Sequence, residues 1–161
     1  MENHWVKRKP TELRSFTATW NVLYKAGELK AVGYKGSKII SSSILQTAEE
    51  PTAIKLKADK TTLEADGQGL SYVTVELVDA NGNRNPKAEN LVKFETEGVG
   101  TIVGVGHANP MSLESCQLPQ RKAWQGRCLV IVKASDIPGQ ITLKASVEGM
   151  PSSKVVIPTK K

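Results

Sequence analysis

Leu70-Ser71-Tyr72-Val73-Thr74-Val75-Glu76-Leu77-Val78-Asp79-Ala80-Asn81-Gly82-Asn83 decides the fold. Val73, Val75 and Leu77 alternate with Thr74, Glu76 and Val78, the period of a strand with one face turned to a core. Asn81-Gly82 then gives a tight-turn signal. The same grammar continues on both sides. Upstream, residues 53–58 place Ile54, Leu56 and Ala58 inward, and Asp66-Gly67-Gln68-Gly69 turns the chain. Downstream, residues 91–96 place Val92 and Phe94 inward, and further strand runs occupy residues 101–105, 127–134, 140–147 and 154–157. Strong helical periodicity is absent. About seven strands in roughly 100 residues fit an immunoglobulin-like sandwich. There is no Cys…Trp…Cys pin, so it is not of the antibody type.

The chain upstream of residue 53 reads differently. Phe16-Thr17-Ala18-Thr19-Trp20-Asn21-Val22, Glu28-Leu29-Lys30-Ala31-Val32-Gly33-Tyr34 and Lys38-Ile39-Ile40-Ser41-Ser42-Ser43-Ile44-Leu45-Gln46 predict a three-stranded meander. Ala26-Gly27 and Lys35-Gly36-Ser37 supply its turns. One sheet with one apolar face needs a second sheet to cover it. Residues 1–15 offer none, since Lys7-Arg8-Lys9-Pro10 reads as a loop. The expected architecture is all-β: an immunoglobulin-like β-sandwich over residues 53–161, preceded by a three-stranded partial sheet over residues 1–47. Residues 48–52, short, acidic and containing Pro51, read as a linker.

Composition narrows the function classes. At 39% hydrophobic and 24% charged, the 161 residues should fold as a globular protein. No apolar run approaches the ~18 residues of a membrane-spanning helix, so no membrane insertion is expected. The N-terminus shows no secretory signal pattern. Net charge is +6, with eight basic against three acidic residues in 1–47 and fourteen against thirteen in the remainder. The N-terminal cations are spread along strand positions and do not cluster with aromatics. That favours a solvated sheet face over a nucleic-acid surface, and no nucleic-acid partner is expected. Cys116 and Cys128 form no Cys-x-x-Cys or Cys/His cluster, so neither a metal nor a cofactor is called for. Their separation would allow a disulfide, while Cys128 also fits a buried strand position.

No catalytic residue stands out. Glu49-Glu50 lies in the linker, and Glu95 and Glu97 share one strand face. Glycoside hydrolysis needs two carboxyls facing each other across the substrate, about 5 Å apart for retention and about 6.5–9.5 Å for inversion. Gly98-Val99-Gly100 and Gly104-Val105-Gly106 resemble a phosphate loop only superficially. No Gly-Lys-Ser/Thr follows and no helix begins there. The polar stretch 107–125 is the best candidate for a ligand or interdomain contact. It holds His107, Asn109, Glu114, Gln117, Gln120, Arg121 and Trp124. His107, Asn109, Arg121 and Trp124 are the residues to watch. Polar groups beside a Trp suit a sugar, although Trp124 as a core plug is the simpler reading.

The order of several segments carries a resemblance. The run 70–83, Val92-Lys-Phe-Glu-Thr-Glu-Gly98, Gly100-Thr-Ile-Val-Gly-Val-Gly106, Asn109-Pro110, Arg121-Lys-Ala-Trp-Gln-Gly126 and Gly139-Gln-Ile-Thr-Leu-Lys-Ala145 together resemble the C-terminal Ig-like domain of β-galactosidases in glycoside hydrolase family 2. Trp20-Asn21-Val22 with Gly27-Glu-Leu-Lys-Ala-Val-Gly-Tyr34 resembles the last strands of the Ig-like domain that precedes it, so residues 1–47 are expected to be the end of a truncated domain. His107-Ala108-Asn109-Pro110 departs from the Asn-Gly-Asp-Pro-like loop that the resemblance leads one to expect. The resemblance implies a parent enzyme of the Bacteroides type, exported to the periplasm or cell surface and cleaving β-galactosides or related glycosides. Its catalytic glutamates would lie on an upstream (β/α)₈ barrel of about 250 residues, too long for this chain, so no catalytic residue carries over.

The expected role is therefore a non-catalytic C-terminal accessory domain that packs on the barrel or neighbouring domains, or shapes access to the active site. The alternatives are a carbohydrate-binding module and a structural or adhesive Ig-like repeat. Residues 16–46, with Phe16, Trp20 and Leu29 on an uncovered face, are expected to seek partners, self-association included.

Overall fold

The computed structural model describes residues 12–14 and 17–161, with backbone alone for Glu12–Arg14. His4, residues 7–10 and Phe16 lie outside the described residues. The chain divides into two compact units, Met1–Gln46 and Thr47–Lys161.

In the first unit, β1 (Glu12–Arg14) pairs antiparallel with β2 (Thr17–Thr19), and β3 (Glu28–Lys35) pairs antiparallel with β4 (Lys38–Gln46). Among the described residues, the expected three-stranded meander is thus replaced by two two-stranded sheets. β2 ends at Thr19 and takes the adjacent β1 as its partner, a shorter loop to close than the one to Glu28. Residues 20–27 are not strand. In the second hairpin Leu29 faces Leu45 across the ladder, and Tyr34, Ile39, Ile40 and Ile44 are exposed as well.

The second unit is a two-sheet sandwich. Its strands are β5 (Ala53–Ala58), β6 (Leu63–Glu64), β7 (Leu70–Val78), β8 (Leu91–Gly98), β9 (Gly100–Gly106), β10 (Gln120–Lys122), β11 (Arg127–Ala134), β12 (Gly139–Ser146) and β13 (Ser153–Lys160). One sheet runs β5-β7-β11-β9, the other β10-β8-β12-β13-β6. All pairings are antiparallel except the short β13–β6 contact. The alternation read from the sequence selects the core. Val73, Val75 and Leu77 meet Val130 and Val132 from one sheet and Val92, Phe94, Ile141, Leu143 and Ile157 from the other. The chain changes sheets between β8 and β9 through Gly98-Val99-Gly100, which explains those glycines without a ligand.

One end of this unit is braced by a buried carboxylate. Asp79 accepts from the backbone N–H groups of Asn81 at 2.9 Å and Asn83 at 2.8 Å through one oxygen. Its other oxygen accepts from the Glu49 N–H at 3.0 Å. The Asn85 side chain donates to the Glu49 carbonyl at 2.8 Å, and the Thr52 N–H donates to the Val78 carbonyl at 2.9 Å. The stretch expected to be a linker is therefore hydrogen-bonded to the sandwich. The Glu49 N–H is the largest influence holding the Asp79 carboxyl below its ordinary value. Burial opposes that, and the Asn83 and Asn81 donors add to it.

The turn from Trp124 to Arg127 is equally constrained. The backbones of Trp124 and Arg127 exchange hydrogen bonds of 2.8 and 3.1 Å, and Gln125 and Gly126 between them have φ of 52° and 72°. Positive φ at both central residues is the type I′ signature. A Cβ at Gly126 would stand 2.0 Å from the Asn85 carbonyl oxygen. Gly82, with φ of 81°, has open space around it.

Two outcomes follow for chemical denaturation. Gly82→Ala should cost about 1–2 kcal/mol, the penalty of the left-handed region, whereas Gly126→Ala should cost distinctly more because it also collides with backbone. Equal losses would refute the close approach. A carboxyl with a depressed folded pKa adds stability that is complete above its unfolded value and is lost as pH falls through the folded one. Asp79→Asn should therefore lower the Tm at pH 7, and the gap to the parent chain should shrink below about pH 4, the unfolded aspartate range. A gap independent of pH would exclude the charged brace.

Candidate functional site

The polar stretch 107–125 is not one continuous loop. Residues 120–122 form β10, an edge strand that pairs antiparallel with β8. Arg121 sits at its centre opposite Val92 and is only 4% exposed. Three polar residues in a row carry no strand alternation, which is why β10 escapes a pattern reading. The pairing to β8 determines which way Arg121 points, and the preceding segment folds over its guanidinium.

That segment grips the arginine at several points. Arg121 donates to the Glu114 carbonyl at 2.9 Å and to the Ser112 hydroxyl at 3.3 Å. Its Nε lies 3.7 Å from a Glu114 carboxylate oxygen, and it is the one buried side-chain polar atom among the described residues without a hydrogen-bond partner. The same Glu114 oxygen is 3.4 Å from Nε2 of His107, whose side chain is buried. The Asn109 N–H donates to Nδ1 of His107 at 3.1 Å, which places the imidazole proton on Nε2, facing Glu114. Asn109 Oδ1 accepts from the Met111 N–H at 3.0 Å and closes the next turn.

Three of the four sequence candidates, His107, Asn109 and Arg121, thus belong to one cluster. Glu114 is its hub, and Ser112 is a member that sequence reasoning passed over. The Ser-x-Glu spacing ahead of an arginine was the available signal. Trp124 does not join them. It lies half-buried in the separate type I′ turn, where Arg84 donates to the Gln125 carbonyl. Cys128 is a core residue of β11, and burial pushes its thiol up to about 12. Cys116 is exposed, and both cysteines are free thiols.

Two further carboxylates of the sandwich are taken up in cross-strand ion pairs. Glu95 pairs with Lys144 across the β8–β12 ladder at 3.2 Å. Glu76 pairs with Arg127 across the β7–β11 ladder, with Nε at 3.1 Å. Glu97 is exposed on the same strand as Glu95. No group of three or more His, Cys, Asp or Glu side chains suited to a metal occurs among the described residues. A shallow cleft of about 550 Å³ lies away from the cluster, between Lys60, Glu64, Asp66 and Tyr72. Asp66 Oδ1 there already accepts from the Gln68 and Gly69 N–H groups. Chemically, the cluster around Arg121 is a brace. Its one carboxylate faces a guanidinium and an imidazole and no second carboxylate.

Comparison with known proteins puts this arrangement in context. The family model for glycoside hydrolase family 2 C-terminal domain 5 matches residues 54–156, and that of a domain of unknown function, DUF4982, matches residues 4–41. The chain is 39% identical over 145 residues to the β-galactosidase BoGH2A of Bacteroides ovatus, which covers 90% of this chain and 17% of that protein. It is 34% identical over 117 residues to a β-galactosidase of Thermoanaerobacter pseudethanolicus, covering 73% and 14%. A solved glycosyl hydrolase family 2 member from Bacteroides cellulosilyticus superposes with a TM-score of 0.83 at 44% identity, over 88% of this chain and 18% of that one. The chain therefore spans less than a fifth of the length of these relatives.

Replacing Arg121 tests the brace. Arg121→Met approximates the aliphatic stem of the side chain but removes the donors. Hydrogen bonds to charged groups are worth about 1.5–3 kcal/mol, and a loss of that size is expected in urea denaturation. Amide exchange should accelerate selectively in residues 108–119. Unchanged exchange there would mean that the arginine does not hold the loop.

Proposed function

The chain belongs to the family of glycoside hydrolase family 2 C-terminal domain 5, and from that premise we propose that it is the non-catalytic C-terminal accessory region of a β-galactosidase-like glycosidase. The observation that carries this reading is the match of a C-terminal-domain family model across nearly the whole sandwich, from Ile54 to Val156, with the chain covering only 17% of the first relative's length. The disposition of titratable side chains supports it. Asp79 and Glu114 are spent on holding backbone and loop, and Glu76 and Glu95 on cross-strand pairs. None is paired with a facing carboxylate across open space, as glycoside hydrolysis requires.

In this role the sandwich is a rigid body attached to the catalytic part of a longer polypeptide. The exposed apolar side chains of the β3–β4 hairpin favour further coverage of the first unit by the same polypeptide, as the end of an Ig-like domain whose other strands lie upstream. Self-association through residues 16–46 is the competing fate of that surface. The glycosidase would act outside the cytoplasm, in the periplasm or at the cell surface, on β-galactosides or related glycosides.

A chromogenic β-galactoside tests the division of labour. The 161-residue chain should show no turnover above buffer, and the full-length polypeptide that carries it should hydrolyse the substrate. Turnover by the chain alone, abolished by Glu114→Gln, would overturn the accessory reading.

A further inference from the structure

The segment 107–119, between β9 and β10, is built inside out. Three of its polar side chains, His107, Ser112 and Glu114, turn toward the protein and surround Arg121, while Ser115 and Gln117 stay exposed. Its apolar side chains turn away. Leu113 is 100% exposed, Met111 83% and Leu118 53%. Single exposed apolar residues are ordinary on any protein surface. Three within eight residues, on a segment pinned to the buried Arg121, are a different matter. A loosely held loop could fold such side chains back onto the sandwich. This one cannot without releasing Arg121, Glu114 and His107.

We infer that this segment is a preformed prong, which docks through Met111, Leu113 and Leu118 into an apolar recess on the catalytic domain of the same polypeptide. The inference rests on the accessory role proposed above and gives that role a surface.

Three observations select the occupant. First, no Lys or Arg occurs between His107 and Gln120, and Glu114 is engaged by His107 and Arg121. A surface without cations suits neither nucleic acid nor an anionic bilayer, both of which are recognised through Lys and Arg. It matches the core of a protein interface, where charged residues are depleted and Met is enriched. Second, three apolar side chains are too few for a free-standing complex, which uses about 20–30 residues a side. That argues against a second copy of the chain. A covalently tethered partner has no such requirement, because a short connection gives an effective concentration in the ~mM range. Third, more than four-fifths of the length of the relatives lies outside this chain, so a tethered partner of ample size is available. Pinning the prong beforehand also removes the ordering cost of docking.

Peroxide oxidation of Met111, followed by mass spectrometry, reads the prong directly. In the 161-residue chain Met111 should oxidise rapidly. In the full-length polypeptide it should oxidise at least tenfold more slowly. Equal rates in a polypeptide that hydrolyses the chromogenic galactoside would end the prong and leave the accessory reading standing. Protection in a polypeptide that cleaves no glycoside would remove that reading, and with it the catalytic domain as occupant. A triple variant, Met111→Ser with Leu113→Ser and Leu118→Ser, supplies the second measurement. It should leave the Tm of the 161-residue chain unchanged and lower that of the full-length polypeptide. A drop in the chain's own Tm would instead make these side chains part of its fold. Concentration-dependent dimers of the chain that the triple variant abolishes, seen by sedimentation, would identify a second copy as the occupant and overturn the inference.

Discussion

The register between β7 and β11 is the constraint on which the sandwich depends. Val75 stands opposite Cys128 and Val73 opposite Val130, which sends all four toward the other sheet. A slip of one residue would send Thr74 and Glu76 there instead, because the side-chain period of a strand is two. Several devices near one end of the ladder prevent that slip. The Leu77 N–H donates to the Gly126 carbonyl, the Gly126 N–H donates to the Ala88 carbonyl, and Glu76 is held by Arg127. The positive φ of Gln125 and Gly126 sets the start of β11, and the contact of Gly126 with Asn85 leaves no room to shift it. Asp79, at the end of β7, secures the entering chain at Glu49. Entry, turn and register are thus fastened within a few residues of one another.

Charge in the sandwich is used in the opposite way to an enzyme site. In an enzyme site, burial and like-charge neighbours push carboxyls toward neutrality so that they can exchange protons. Asp59, Asp66 and Asp79 are shifted the other way. Burial raises Asp59, but the Tyr72 N–H and the Ser71 hydroxyl outweigh it, while Gln68 and Gly69 lower Asp66. Each is a carboxylate fixed in its charged form to satisfy backbone donors at a turn. Such groups define geometry and hold no proton to transfer near neutral pH. Where they sit also marks what they do, since all three lie at strand ends where donors would otherwise face solvent or one another.

Much of this frame was legible in the sequence, and the reason is period. β5, β7, β8, β11 and β12 each show an inward set at every second position, and those positions are the core. What escaped has no period to show. β6 has two residues and β10 three, too few for alternation to register. β10 is defined by its pairing with β8 and not by its own residues. The three-stranded meander failed for a related reason. Alternation located strand-forming residues but does not choose between partners, and β1 was the nearer one. For the candidate site, residue types named His107, Asn109 and Arg121. They did not reveal that Arg121 would be buried, because arginine is seldom buried unless paired, and its pair came from a loop with no regular pattern.

The departure at His107-Ala108-Asn109-Pro110 gains a physical meaning from this. An amide-rich loop in that place would serve to terminate β9 and present acceptors to the next backbone N–H groups. His107 and Asn109 do the same. Nδ1 takes the Asn109 N–H, Oδ1 takes the Met111 N–H, and the Asn109 carbonyl takes the Ser112 N–H. The succession leads the chain from the end of β9 to Ser112, the first residue to reach Arg121. Histidine adds what an amide of that length does not, a second nitrogen directed at Glu114. The side chains that looked most like ligand-binding groups are those whose hydrogen-bonding capacity is largely taken up by the loop itself. Met111, Leu113 and Leu118 stay exposed on that segment, whose His107, Ser112 and Glu114 are engaged with Arg121 and with one another.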